Sequence, residues 1–163
     1  MMLITLKRIK QLILIFEDGL MVLLLSATIL LAASQIVLRN LFDSGLIWAD
    51  PTLRIMVLWL ALLGAIAATR ENRHIRIDIL THRLSKRSQS ILSGVNDLFS
   101  AIVCAIITWH AVRFVYAEWQ DGARLFAELP AWLGEIIIPI GFGVMTLRFL
   151  FNLSLQLLQR DGE

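Results

Sequence analysis

From Gly19 to Leu38 the chain runs twenty residues without a charged side chain, and its only polar groups there are Ser26, Thr28, Ser34 and Gln35. At 1.5 Å per residue a helix of that length just crosses a hydrocarbon core about 30 Å thick. Three more apolar stretches follow, at about 51–69, 91–116 and 129–151. The chain has 163 residues, 58% of them hydrophobic and 17% charged, so four spans leave only tails and short connections. The expected fold is therefore all-α: one four-helix membrane domain over 1–163, with spans at about 17–38, 51–69, 91–116 and 129–151. Ala32-Ala33-Ser34 loosely resembles a signal-peptide cleavage site, but the apolar region is longer than such segments usually are, so we expect a retained first helix. The single cysteine, Cys104, cannot form an internal disulfide.

Orientation follows from lysine and arginine, which are favoured on the cytoplasmic side. Lys7, Arg8, Lys10, Arg70, Arg73, Arg76, Arg83, Lys86, Arg87, Arg148 and Arg160 fall on one side of the four spans, and Arg39, Arg54, Arg113 and Arg124 on the other. Both termini are thus expected in the cytoplasm. Trp48, Trp119 and Trp132 sit at the three opposite span ends, where amphipathic indoles prefer the membrane interface. Basic residues at span ends fit membrane orientation and not nucleic-acid binding.

Two shorter segments are expected at the interface. In 2–16, Met2, Leu6, Ile9, Ile13 and Phe16 share a helical face, with Lys7, Arg8, Lys10 and Gln11 over the other side, which predicts an amphipathic helix lying on the inner surface. Residues 74–86 connect the second and third spans. No internal repeat and no heptad series stands out.

The chemistry-bearing residues point away from catalysis. His74, Asp78 and His82 have helical ligand spacing, but an arginine-rich segment beside a membrane disfavours a dication. A haem site would need paired axial ligands within the spans, which offer His110 alone. Phosphate-loop, nucleophile-elbow and HExxH patterns are missing from the sequence. Neither a metal nor another cofactor is expected. Arg54, Asp97 and Glu135 are charged residues inside spans, a costly placement that marks functional candidates. All lie within a few residues of a span end, where pairing or snorkelling accommodates them. Counting depth along the helices puts Arg54, Arg113 and Glu135 at similar heights, which predicts that Glu135 pairs with one of the two arginines. The alternative is an independent channel or proton-coupled carrier with Asp97 and Glu135 in the ion path. Pro139 inside the fourth span should kink it. Gly64 and Ala68, and Ala61 and Ala65, have the small-xxx-small spacing that lets helices approach closely, with the partner helix left open.

In order, the chain carries Arg39-Asn40-Leu41-Phe42, then Trp48-Ala49-Asp50 with Arg54, then Leu58-Trp59-Leu60 through Gly64-Ala65. Arg70 and His74-Ile75-Arg76-Ile77-Asp78 follow, then Leu129-Pro130-Ala131-Trp132 and Ile138-Pro139-Ile140-Gly141-Phe142 before Arg148. Laid around four spans, this resembles the small membrane subunit, DctQ type, of the tripartite ATP-independent periplasmic (TRAP) transporters. It departs from that pattern in having Asp50-Pro51 where the family often has two acidic residues, and Glu135 where it often has an aromatic. The resemblance implies a static scaffold beside a large, elevator-type membrane subunit in the inner membrane of a bacterium or archaeon. It implies sodium-coupled uptake of organic acids such as C4-dicarboxylates or sialic acid, delivered by a periplasmic binding protein, with sodium and substrate handled by the large subunit. Arg39, Trp48, Asp50, Arg54, Trp59, His74, Asp78, Trp132, Glu135 and Pro139 are the candidate contacts to partner subunits or lipid.

Overall fold

The computed structural model describes residues 2–70, 86–125 and 129–160. His74 and Asp78, with most of the expected 74–86 segment, lie outside the described residues. The described regular structure is helical: α1 Met2–Phe42, α2 Ala49–Ala68, α3 Lys86–Asp121, the single-turn α4 Ala131–Glu135, and α5 Ile137–Arg160. Four segments are long and apolar enough to cross a membrane: Leu14–Phe42, Ala49–Ala68, Ile91–Asp121 and Ala131–Gln156. Each expected span is present, the third and fourth reaching about five residues further along the chain. Hydroxyls within the spans satisfy themselves by bonding back one turn, Thr28 to the Leu24 carbonyl, Ser34 to Leu30, Thr108 to Cys104 and Thr146 to Phe142. That geometry makes them compatible with lipid.

The helices are arranged as a row. α3 packs most extensively on α5, α1 packs on α2, and α2 meets α5, so α1 and α3 form the two edges. The core lies where these contacts converge: Leu63 and Ile66 of α2, Ala101 and Cys104 of α3, and Met145 and Phe149 of α5. α1 reaches it through Leu20, Met21 and Leu24.

Three features differ from the expectations. Residues 2–16 are helical, but they continue into the first span without a break, forming one helix of 41 residues. α3 is also longer than its span, at 36 residues. The fourth span is not merely kinked but interrupted at Ile136, between α4 and α5. Pro139 is the physical cause: it has no N–H for the carbonyl of Glu135, four residues earlier, and its ring crowds that carbonyl. α1 ends at Asp43, whose φ of 46° reverses the chain, a conformation Asp tolerates better than most residues. The Ser44 N–H then closes on the Leu38 carbonyl at 3.3 Å.

Candidate functional site

The polar residues gather at the two ends of the row. At the end carrying Trp48, the 43–48 connection is held by Gln35, a 5% exposed amide in an apolar helix. Its Nε2 donates to the Leu46 carbonyl at 3.2 Å and its Oε1 accepts from the Leu46 N–H at 3.1 Å. One side chain thus satisfies both backbone groups of a loop residue. One helical turn later, Arg39 Nη2 meets Asp50 Oδ2 at 2.7 Å, joining the end of α1 to the start of α2. Both side chains of that pair stay more than half exposed, at 58% and 51%.

The interrupted fourth span is fastened to α2 at the same end. The Trp59 indole N–H donates to the Gly134 carbonyl at 2.9 Å, within the turn that Pro139 disrupts. A Cβ at Gly134 would come within 3.0 Å of Ile55 Cδ1, so glycine is what permits this approach. Arg54 lies on an exposed face of α2 and Arg113 on an exposed face of α3. Neither pairs with Glu135, contrary to expectation. Glu135 Oε2 is buried without a hydrogen-bond partner. Ile55 and Trp59 of α2 meet Gly134 beside Glu135, while Arg54 is exposed on another side of the helix.

The end carrying Arg70 is drier. Glu17 of α1 takes Arg148 Nη2 of α5 on Oε1 at 2.8 Å and faces Arg70 Nε with Oε2 at 3.3 Å. Arg70 Nη2 also reaches Asp18 at 2.7 Å. Arg148 Nη1 completes the junction by donating to the Ile66 carbonyl and to Thr69 Oγ1. Glu17, Arg70 and Arg148 are only 17%, 18% and 24% exposed. α1, the end of α2 and α5 are therefore tied by two carboxylates and two guanidiniums. Arg70 and Arg148 were marked by sequence, but Glu17 and Asp18 were not. The available signal was an acidic pair opening the first span on the side where most of the basic residues gather.

Asp97, 3% exposed, accepts from Gln156 Nε2 at 2.6 Å, deep between α3 and α5. Gln156 and Glu135 are 21 residues apart along the fourth span, roughly 30 Å at 1.5 Å per residue. Asp97 and Glu135 thus belong to opposite ends of the row. Trp48 and Trp119 are 42% and 58% exposed, and Tyr116 stacks tilted on Trp119 with centroids 5.8 Å apart. Trp132 is half-buried beside Pro130. Among the described residues, no three His, Cys, Asp or Glu side chains gather as metal ligands.

Residues 28–159 match the family described as tripartite ATP-independent periplasmic transporters, DctQ component. The chain belongs to that family. It is similar to the C4-dicarboxylate TRAP transporter small permease protein DctQ of Rhodobacter capsulatus, 34% identical over 123 residues, 73% of this chain and 53% of the relative. A putative TRAP transporter small permease protein of Haemophilus influenzae is 36% identical over 73 residues, 45% of each chain. The chain thus spans about half the length of these two curated relatives. The isethionate TRAP transporter permease protein DctMQ of Oleidesulfovibrio alaskensis is 26% identical over 113 residues, 68% of this chain but 18% of that much longer one. Other TRAP relatives are named for ectoine and for sialic acid, so solutes vary across the group. A DctQ component is a membrane subunit of a transporter and not an enzyme, and four apolar helices agree with a multi-pass membrane protein.

Proposed function

We propose that this DctQ-type chain is the static small subunit of a TRAP transporter. It supports a large elevator-type membrane subunit in sodium-coupled uptake of organic acids delivered by a periplasmic binding protein. The family match carries this reading, and the disposition of charge supports it. Ion pairs at both ends tie helices of this chain to one another, as a scaffold requires. A channel using Asp97 and Glu135 is disfavoured by their placement at opposite ends. In this reading the Arg70 end and both termini face the cytoplasm of a bacterial or archaeal inner membrane. Arg39, Trp48, Asp50 and Trp132 then belong to the periplasmic rim, where a binding protein would meet the subunit, and Arg54 and Glu135 lie just below it.

Purified from its native membrane, the protein is expected to carry a much larger polytopic protein with it, and reconstituted alone to give no sodium-dependent organic-acid uptake. Coupled uptake by the chain alone would overturn the scaffold reading. In a Cys104→Ser background, His82→Cys should label from the cytoplasm and Gly122→Cys from the periplasm. The reverse labelling would invert the orientation.

A further inference from the structure

Both edges of the row expose large apolar residues every seven positions, and α1 adds a stripe of small residues at the same spacing. On α1 the exposed residues Gly19, Ser26 and Ala33 recur every seven positions, flanked by exposed Ile15, Val22, Ile29 and Ile36. On α3 one exposed stripe of equal spacing is Val95, Ile102, Trp109 and Tyr116, and the exposed polar residues Asn96, His110 and Arg113 lie on other lines of the same helix. A seven-residue period keeps a stripe nearly straight along a helix, and small residues on it let a second backbone approach closely. Large aliphatic and aromatic side chains instead suit contact with lipid.

Among the described residues, the glycines on these faces have open space beside them. A Cβ built on Gly19 meets no atom within 4 Å, and the same holds for Gly64 of α2, whose neighbours Ala61 and Ala68 are exposed. Of the small residues of α2, Ala65 packs against the core, while Ala61, Gly64 and Ala68 are left open. Beside Gly19, Val22, Ser26 and Leu30 the surface of α1 is open and apolar, with Asp18 at its edge. Only 6% of the α1 span window is buried, against 17–22% for the other three, so α1 has the largest uncovered face. From Ile15 to Ile36 that face is about 31 Å long, the thickness of a hydrocarbon core.

We propose that a transmembrane helix of the large subunit lies along α1 over the Gly19–Ser26–Ala33 stripe, with α2 beside it, and that the Val95–Tyr116 stripe of α3 faces lipid. This rests on the scaffold reading above. A second copy of this chain fits less well, because in the DctMQ relative the matched region is a minor part of one long permease polypeptide. A helix from the rest of that polypeptide would lie one-to-one beside the matched region. Side-by-side packing at the shallow crossing angle of seven-residue repeats would bury the stripe along its length.

The test uses the complex, produced together with the large-subunit gene product. A photo-reactive phenylalanine analogue at Ser26 or Ala33 should crosslink to the large subunit with at least tenfold higher yield than the same probe at Ile102 or Trp109. Gly19→Leu combined with Ser26→Leu should cut recovery of the large subunit at least tenfold without changing the thermal stability of this chain. Ile102→Leu should leave recovery unchanged. Self-crosslinks from Ser26, lipid adducts only, or equal yields from α1 and α3 would overturn the assignment while leaving the scaffold reading in place. If no large subunit co-purifies even with the unsubstituted chain, the scaffold reading fails and this assignment with it.

Discussion

The two ends of the helix row hold ion pairs covered to different degrees by the rest of the chain, and the difference sets what each contributes. At the Trp48 end, Arg39 and Asp50 are more than half exposed, where a pair gains little over separate hydration. At the Arg70 end, Glu17 is shared by two guanidiniums and all three groups are more than three-quarters covered. There the value of the pair lies less in what forming it gains than in what breaking it exposes. The dry end is thus a joint that fixes three helices at one level. The wet end leaves its charges accessible for contact.

The largest effect should come from the dry end. Glu17→Gln leaves Arg70 and Arg148 without their shared countercharge, and we expect a loss of about 2–4 kcal/mol in thermal unfolding of the detergent-solubilised protein. A loss under about 1 kcal/mol would mean that water reaches the junction and the two ends are alike. Next, Gln35→Leu keeps the volume but strands both backbone groups of Leu46, costing about 1–3 kcal/mol. Amide exchange at Leu46 should accelerate, and unchanged exchange would show that water already serves the loop. Trp59→Phe removes the indole donor to Gly134 and should cost about 1 kcal/mol, read from the same melts. The smallest effect belongs to Arg39→Gln, which should cost less than about 1 kcal/mol, shrinking further as salt is raised. A double-mutant cycle with Asp50→Asn that gives a coupling as large as that of Glu17 with Arg148 would erase the contrast.

Much of this architecture can be read from the chain itself, because a bilayer forces every span to be a long apolar run. Four runs, Trp48, Trp119 and Trp132 at one set of ends, and arginines near both sets are one-dimensional signals. What the sequence conceals is azimuth. Arg54 and Glu135 match in depth, but Ile55 and Trp59 form the α2 face that meets α4, while Arg54 points away. The partners of Glu17 are 53 and 131 residues away in sequence, a separation no local pattern spans. Pro139 announced a disturbance but not its form, since whether the freed Glu135 carbonyl bends or ends the helix depends on neighbours such as Trp59. The seven-residue stripe on α1 was hidden for a different reason. In a span where leucine and isoleucine occur on every side, only exposure separates the small residues that face outward from the rest.

Because α1 runs from Met2 to Phe42 without a joint, its N-terminal turns behave as an extension of the span. The roughly fifteen residues beyond the hydrocarbon form a rigid arm of about 22 Å. A helix accommodates a thinner bilayer by tilting, and a tilt of 10° would sweep the tip of such an arm sideways by about 4 Å. In a thinner bilayer such a tilt would carry the basic residues Lys7, Arg8 and Lys10 sideways.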